Sequence, residues 1–289
     1  MIVDVHTHLP THDLAVPDDE AEFDTAMRPG RQVRLTNSVD DYLAAMTPVD
    51  AAFLFGIAPR PGDDAVQVLA NRGNVNDAAA ATAARAPDKI IGFMSVHPDE
   101  PDVMDEIERS VHDLGLRGMK LGPNYQAFDP VLANAFRVYG KAQQLGLPIV
   151  FHQGTSPFPD APLRYAHPMV MDEIAAEFRD LKIVMAHIAH PWHVDCVNII
   201  RKHPNVYADV SGALIRPWQA YHAFMHAHEW GMLHKLLFAS DFPVTTPAET
   251  IDFLRGLNDY ARKYHLPELP EDELEAIIER DSLELLGLR

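Results

Sequence analysis

The order of apolar and polar residues along this 289-residue chain predicts eight short β-strands, each followed by a longer segment with a helical pattern. The strands are short apolar runs of the kind that is buried on both faces of a parallel sheet. They are predicted at residues 2–5, 51–57, 90–96, 117–122, 148–154, 182–188, 206–212 and 235–242. The eightfold alternation predicts an α/β fold, a (β/α)8 TIM barrel, built as one domain over residues 1–289.

Helix start signals lie between the predicted strands. Ser38 followed by Asp41, and Thr246 followed by Pro247 and Glu249, are typical of the first turn of a helix. The alternative, an open doubly wound sheet, is disfavoured because no glycine-rich dinucleotide-binding turn follows the first strand.

Two segments interrupt the alternation, at about residues 9–38 and 154–168. Both follow the carboxyl end of a predicted strand, which is the end where the active sites of such barrels lie. They are therefore predicted either to wall or cover a site, or to be surface or subunit-contact insertions.

The charge and the single cysteine narrow the choice of partners and location. Asp and Glu number 42 against 24 Lys and Arg, a net charge of -18, which disfavours nucleic acid and anionic lipid as partners. No apolar stretch approaches the roughly 18 residues of a membrane helix, so no membrane contact is expected. Cys196 is the only cysteine, and a signal peptide is hard to place before the first strand, so a cytoplasmic protein is expected. A homo-oligomer is compatible with the sequence.

Two histidines stand one residue apart in the opening stretch VDVHTHLP. Because side chains alternate along a strand, His6 and His8 are expected on the same side, where two imidazoles can bind one metal ion. Other polar residues at predicted strand ends are Lys120 in GMKLGP, His152 in VFHQG, His187 in VMAHIAHPW and Asp241 in FASDFP. A lone histidine in a strand is more often a hydrogen-bonded core residue. Core packing, however, gives no reason for four histidines and an aspartate to recur at one end of four strands.

These blocks, together with KLGPNYQAF and the closing LELLGL, resemble the amidohydrolase superfamily over nearly the whole chain. The similarity is to its amidohydrolase-related branch, which includes aminocarboxymuconate semialdehyde decarboxylase and related aromatic acid decarboxylases. The resemblance implies that His6, His8, His152 and Asp241 are the ligands of one divalent metal ion, usually Zn²⁺. It also implies that His187 lies near the metal and handles protons.

The chain departs from the branch at several positions. RDSLELLGL lacks an Asn that the branch usually has there, and Ala189 stands where many relatives have Gly. Lys120 occupies the position of a carboxylated lysine in binuclear members of the superfamily, but the branch normally holds a single ion, so we predict that Lys120 is not carboxylated. Four further histidines are expected near the site or in substrate loops: His12, His97, His167 and His190.

Two reactions fit such a site. In the first, a hydrolase acts on a small-molecule ester, lactone or amide through a metal-bound water, whose pKa the ion lowers from 15.7 toward about 7. His187 or Asp241 would then move the proton. In the second, a non-oxidative decarboxylase acts on a small carboxylic acid, aromatic acids included.

A decarboxylase needs a cation beside the metal, for which Arg164, Arg216 and Lys120 are candidates. Hydrolysis is favoured because no arginine stands within a strand end. A barrel that only binds a ligand is disfavoured because the ligand set with an adjacent His187 exceeds what binding requires. The aromatic residues Tyr125, Trp192, Trp218 and Phe242 indicate either an apolar, planar ligand or simple packing.

Overall fold

The computed structural model describes residues 1–10, 37–62, 74–156 and 158–289. The strands are β1 (Val3–His8), β2 (Ala51–Phe55), β3 (Ile90–Gly92), β4 (Met119–Leu121), β5 (Ile149–Phe151), β6 (Ile183–Met185), β7 (Val206–Asp209) and β8 (Leu236–Leu237). The helices are α1 (Val39–Ala45), α2 (Val75–Ala83), α3 (Val103–His112), α4 (Pro123–Gln126), α5 (Ala133–Gln144), α6 (Val170–Glu177), α7 (His193–Lys202), α8 (Pro217–Glu229), α9 (Pro247–Arg255), α10 (Leu257–Lys263), α11 (Glu271–Ile278) and α12 (Ser282–Leu285).

In the described part of the chain the strand pairings are all parallel, in the orders β1–β2–β3 and β4–β5–β6–β7–β8. Parallel bridges between Met94 and Met119, and between Thr7 and Phe242, connect these two sheets. Strands and helices alternate along the chain as predicted, and the (β/α)8 fold is confirmed.

The strand ends differ from the prediction. β1 extends to His8 instead of residue 5, so the two histidines lie inside the strand, whereas most other strands end earlier than predicted. β6 stops at Met185 because the next residues leave the extended conformation, and His187 has a φ of 60°. The helix starts were predicted correctly: the side chains of Ser38 and Thr246 accept hydrogen bonds from the third residue of each helix.

A β-bulge lies in β1. Asp4 is opposite Ala52 and His8 is opposite Phe55, so β1 uses one more residue than β2 over this distance. The rings of His6 and His8 both contact Phe55, at centroid distances of 5.1 and 5.2 Å. The two histidines therefore share a side even though the bulge interrupts simple alternation.

Two apolar clusters support the barrel. One lies between the strands and the helices, and it includes Leu54, Ile107 and Ile183. The other joins inward-facing strand residues to the C-terminal residues Leu286 and Leu288.

The insertion predicted at residues 154–168 contains one short 3₁₀ helix, Leu163–Tyr165. Most of the other insertion lies outside the described residues, and so does His12. No helix in the described part is long and apolar enough to cross a bilayer.

Candidate metal centre

Three side chains converge at the carboxyl ends of β1 and β8. Nε2 of His6 lies 3.2 Å from Nε2 of His8, and Oδ1 of Asp241 lies 3.3 Å from the former and 3.2 Å from the latter. All three residues are buried. Asp241 reaches this position from a left-handed turn after β8, with φ at 64°, where its backbone N–H donates to the carbonyl of His6.

The donor set fits a metal ion. The Nδ1 of His6 lies 2.9 Å from Oδ2 of Asp209. A carboxylate accepts from that nitrogen, so Nε2 of neutral His6 carries the lone pair that a metal requires. Tetrahedral zinc with Zn–N distances of about 2.0–2.1 Å keeps its ligand atoms about 3.3 Å apart. The spacing of His6, His8 and Asp241 matches this geometry.

Asp209, at the end of β7, connects three parts of the site. Besides holding His6, its Oδ1 accepts from the backbone N–H of His187 at 2.9 Å and from the hydroxyl of Ser211. Ser211 Oγ lies 2.8 Å from Nδ1 of His187. Since the hydroxyl proton goes to Asp209, Ser211 accepts from Nδ1 of His187. Nε2 of neutral His187 then carries the lone pair, and it lies 3.3 Å from Nδ1 of His152.

The turn that carries His187 is strained. His187, Ile188 and Ala189 all have positive φ, at 60°, 47° and 48°. Each such residue costs on the order of 1–3 kcal/mol, and such strain concentrates at functional sites. The carbonyl of the following residue, His190, lies 2.4 Å from where a Cβ on Gly154 would be, so only glycine fits after His152 and Gln153.

His152 stands beside this cluster. Its Nδ1 is 3.3 Å from Nε2 of His187, and its Nε2 is 3.3 Å from the carbonyl of Thr155. The groups of described residues with metal-binding spacing are His6–His8–Asp241 and His6–His187–Asp209, and neither includes His152. The second group is already joined by hydrogen bonds through Asp209. The role of His152 as the fourth ligand stays a prediction.

The sequence model of a family described as Amidohydrolase matches residues 3–288, which is nearly the whole chain. The chain belongs to this amidohydrolase family. Members of the family bind a divalent metal, and the chain is accordingly an enzyme of a metal-dependent superfamily.

Solved structures share the fold of this amidohydrolase at low sequence identity. An uncharacterized TIM-barrel protein from Bordetella bronchiseptica has a TM-score of 0.75 and 20% identity, covering 99% of this chain and 98% of that one. A probable 2-pyrone-4,6-dicarboxylic acid hydrolase from Acinetobacter baumannii has a TM-score of 0.65 and 17% identity, covering 99% of each chain. A dihydroxybenzoic acid decarboxylase from a Polaromonas species, solved with manganese, has a TM-score of 0.64 and 16% identity, covering 99% of this chain and 97% of that one.

Burial controls the protonation of the amidohydrolase site. Removal from water lowers the pKa values of His6, His8 and His152 and brings that of His187 to about 4. These imidazoles are therefore neutral at pH 7, which is the form that binds a metal or accepts a proton. Burial would raise the pKa of Asp209, but His6 and Ser211 outweigh it and hold this pKa below its usual value.

Lys120 lies beside His6 and Phe55. Its Nζ is 3.2 Å from Nε2 of His6 and 4.8 Å from the centre of the Phe55 ring. Burial lowers its pKa to about 8, against the opposing charges of Asp209 and Asp241. An ammonium in this position donates to the lone pair of Nε2 of His6, which is the same lone pair that a metal ion would use. That Lys120 is not carboxylated and that a single ion binds there both stay predictions.

A cavity of about 270 Å³ opens onto these groups. Its lining includes His8, His152, His187 and Asp241. It also includes Tyr125, Gln153, His190, Arg216 and, from the insertion at 154–168, Thr155 and Ser156.

Other residues singled out in the sequence have contacts or exposure that do not connect them to the metal ligands. Arg164 is exposed and donates to the hydroxyl of Tyr165, and it does not line the cavity. His97 is buried against the carbonyl of Gln126, and the ring of His167 lies 4.7 Å from that of Trp192 at an interplanar angle of 47°, so both have structural contacts. Trp218 is 53% exposed.

Sequence reasoning missed Asp209 and Ser211. Their signal was an aspartate and a serine inside the apolar run VYADVSG, at the same strand end as the other candidates. Phe242 packs against Tyr42, which fits the packing interpretation of that aromatic residue.

Proposed function

We propose that this amidohydrolase is a metal-dependent hydrolase that acts on a small ester, lactone or amide. The observation that carries the proposal is the hydrogen-bond chain from Asp209 through Ser211 to His187, which puts the lone pair of His187 on Nε2, beside His152 at the cavity. Hydrolysis needs a base that takes a proton from the attacking water. Decarboxylation needs the opposite, a group that delivers a proton to carbon.

His6, His8 and Asp241 would hold one divalent ion, for which zinc is our proposal, with His152 as the predicted fourth ligand. When bound, the ion would polarise the carbonyl of the substrate and lower the pKa of water. His187 accepts the proton of the attacking water at Nε2 and returns it to the leaving oxygen or nitrogen. Asp209 holds His6 and His187 in position throughout, through the bonds described above.

The match to the family over residues 3–288 supports a single catalytic domain, and the net charge of -18 disfavours nucleic acid as a partner. We infer one catalytic domain over residues 1–289 that acts on a small molecule and does not bind nucleic acid.

The test uses the zinc-loaded protein with a panel of lactones, phenyl esters and anilides. We expect acid release and incorporation of one ¹⁸O from labelled water into the acid, without CO₂. The matched control is Asp241→Asn. Turnover of hydroxybenzoates to phenols and CO₂, with no hydrolysis of the panel, would overturn the proposal.

Decarboxylation is the second candidate because two cations, Lys120 and Arg216, line the cavity. The Polaromonas relative named above is a decarboxylase, and the Acinetobacter relative is named a hydrolase. The same ¹⁸O and CO₂ measurements separate the two reactions.

A further inference from the structure

Three histidines outside the candidate metal centre lie close together where α7 and α8 pack against one another. His193 is the first residue of α7, and His222 and His226 lie four positions apart on α8. Residues four apart share one face of a helix, with their Cβ atoms about 5–6 Å from each other. We call these three residues the outer histidine cluster. None of them belongs to the groups with metal-binding spacing described above, because their rings stand further apart.

The distance between the rings can be compared with that in the metal centre. The ring centroids of His193 and His226 are 6.4 Å apart, at an interplanar angle of 76°. The corresponding distance between His6 and His8, whose nitrogens have the spacing of metal ligands, is 5.1 Å. An ion bound by both His193 and His226 therefore requires a small inward movement of their rings.

One nitrogen of the outer histidine cluster is buried without a partner. In the described part of the chain, Nε2 of His226 has no hydrogen-bond partner. Within those same residues neither His222 nor His226 pairs with a carboxylate, whereas Nδ1 of His228, on the same helix, lies 3.6 Å from Oε1 of Glu273. Burying an unpaired polar atom costs free energy, and an ion that uses the lone pair of this nitrogen removes the cost.

His193 is held in the form that binds a metal. Burial lowers its pKa, and the charges of His226 and His222 lower it further, against a hydrogen bond to the backbone of Pro191. His193 is therefore neutral at pH 7. Because the carbonyl of Pro191 accepts from one ring nitrogen, the other nitrogen carries the lone pair, as is usual for histidines that ligate metals.

His222 can turn toward the other two imidazoles. It is exposed, and its ring lies 4.2 Å from the ring of Trp218, which is exposed as well. Exposed side chains change rotamer within picoseconds to nanoseconds, so this contact does not fix the ring of His222 in place.

We propose that His193, His222 and His226 bind one divalent transition-metal ion, Zn²⁺ before others, separate from the ion of the candidate metal centre. This proposal goes beyond the proposed function and does not depend on it. Three imidazoles are an established zinc ligand set, and two histidines four apart on a helix form part of known zinc sites. Mg²⁺ and Ca²⁺ prefer oxygen ligands and are not expected to bind here.

The ion would connect α7 to α8 at the cavity, because His193 also lines it. The rings of the outer histidine cluster must move to bind, whereas His6, His8 and Asp241 already have the spacing of ligands. Binding to the cluster is therefore weaker. The protein as purified is expected to carry the ion of the metal centre, and the cluster to fill when zinc is in excess.

The test counts the zinc ions bound to the full chain after equilibrium dialysis against excess zinc chloride. The proteins are the wild type, His222→Ala and the matched control His228→Ala, which removes a histidine of α8 outside the cluster. We expect about two ions per chain in the wild type and the control, and about one in His222→Ala. Because His222 is exposed, its replacement is expected to leave folding intact. Excess magnesium chloride should leave the second ion bound.

A second comparison separates the cluster from the metal centre. Asp241→Asn, which is predicted to lose the ion of the centre, should keep about one ion in excess zinc, and the double variant Asp241→Asn, His222→Ala should bind none. His226→Gln is expected to lose the same ion as His222→Ala. Four results would overturn the assignment: equal counts in His222→Ala and the wild type, loss of an ion in His228→Ala, displacement of the second ion by magnesium, or no ion in Asp241→Asn.

Discussion

At the carboxyl ends of the strands the barrel interior holds His6, His8 and Asp241 in mutual contact, whereas the other end of the interior is filled by apolar side chains. There Leu286 and Leu288 belong to the same apolar cluster as Val3, and Arg117 donates to the carbonyl of Leu288. The same short strands contribute polar side chains at one end and apolar side chains at the other. Among the described residues, Nδ1 of His8 at the polar end is buried without a hydrogen-bond partner, which costs stability, whereas the apolar end supplies stability without chemistry.

This comparison predicts that Asp241→Asn has the largest effect on function and little effect on folding. An amide lacks the charge that the metal site needs, so metal content should fall from about one ion per chain toward zero. Turnover should fall on the order of 10⁴-fold or more. Elemental analysis, turnover and thermal melting check the three parts. A variant that keeps its metal would remove Asp241 from the ligand set.

His187→Ala separates proton transfer from metal binding at the polar end. We expect the metal to stay and turnover to fall about 10²-fold to 10⁴-fold, the range for a general acid–base group. The control, His152→Ala, is predicted to lose metal. Metal loss in His187→Ala would make this histidine a ligand. Full activity with metal retained would mean that it is a core histidine and that the proposed base is absent.

Leu286→Ala tests the apolar end. Leu286 is fully buried inside the barrel, and its truncation should lower the free energy of unfolding by about 2–5 kcal/mol while leaving metal content and turnover per folded molecule unchanged. Leu132→Ala is the control, because Leu132 is 54% exposed and its loss should change stability by no more than about 0.5 kcal/mol. Loss of metal in Leu286→Ala would show that the two ends are not independent.

Asp209→Asn acts on the metal through another residue. The amide can no longer hold His6 as a carboxylate does, so metal affinity should fall about 10-fold to 100-fold while the ligands remain. Competition with a chelator measures this affinity. An unchanged dissociation constant would mean that Asp209 only supports the backbone of His187.

Ala189→Gly is expected to have the smallest effect. Glycine adopts positive φ without the penalty of a Cβ, so stability should rise by about 0.5–1 kcal/mol. Ala80→Gly, inside α2, should instead lose about 1 kcal/mol. Denaturant unfolding compares the two, and a loss of stability in Ala189→Gly would show that the left-handed turn is held by other contacts.

The eight strands could be predicted because each is an apolar run with a helical segment after it. The strand ends could not be predicted, because His187 and Asp241 lie in left-handed turns that depend on distant contacts. The backbone N–H of His187 donates to Asp209, and that of Asp241 donates to the carbonyl of His6 in β1. The bulge in β1 leaves no trace in an apolar–polar pattern, since both sides of the strand are buried.

The candidate site was predicted in part. The histidines and Asp241 stand out because each interrupts or ends an apolar run. Asp209 also lies in such a run, but its surroundings match no metal-binding sequence pattern. Arg216 could not be told from Arg164 by sequence. Both follow strand ends, and only the cavity separates them.

The hydrogen bonds of Asp209 also bear on how such a protein can diverge. One carboxylate fixes a histidine of β1, the turn after β6 and Ser211, so a change in any of these disturbs the others at once. Arg216 belongs to a different segment and shares none of those bonds. Substitutions at Arg216 therefore change the lining of the cavity without disturbing the residues that Asp209 holds in place.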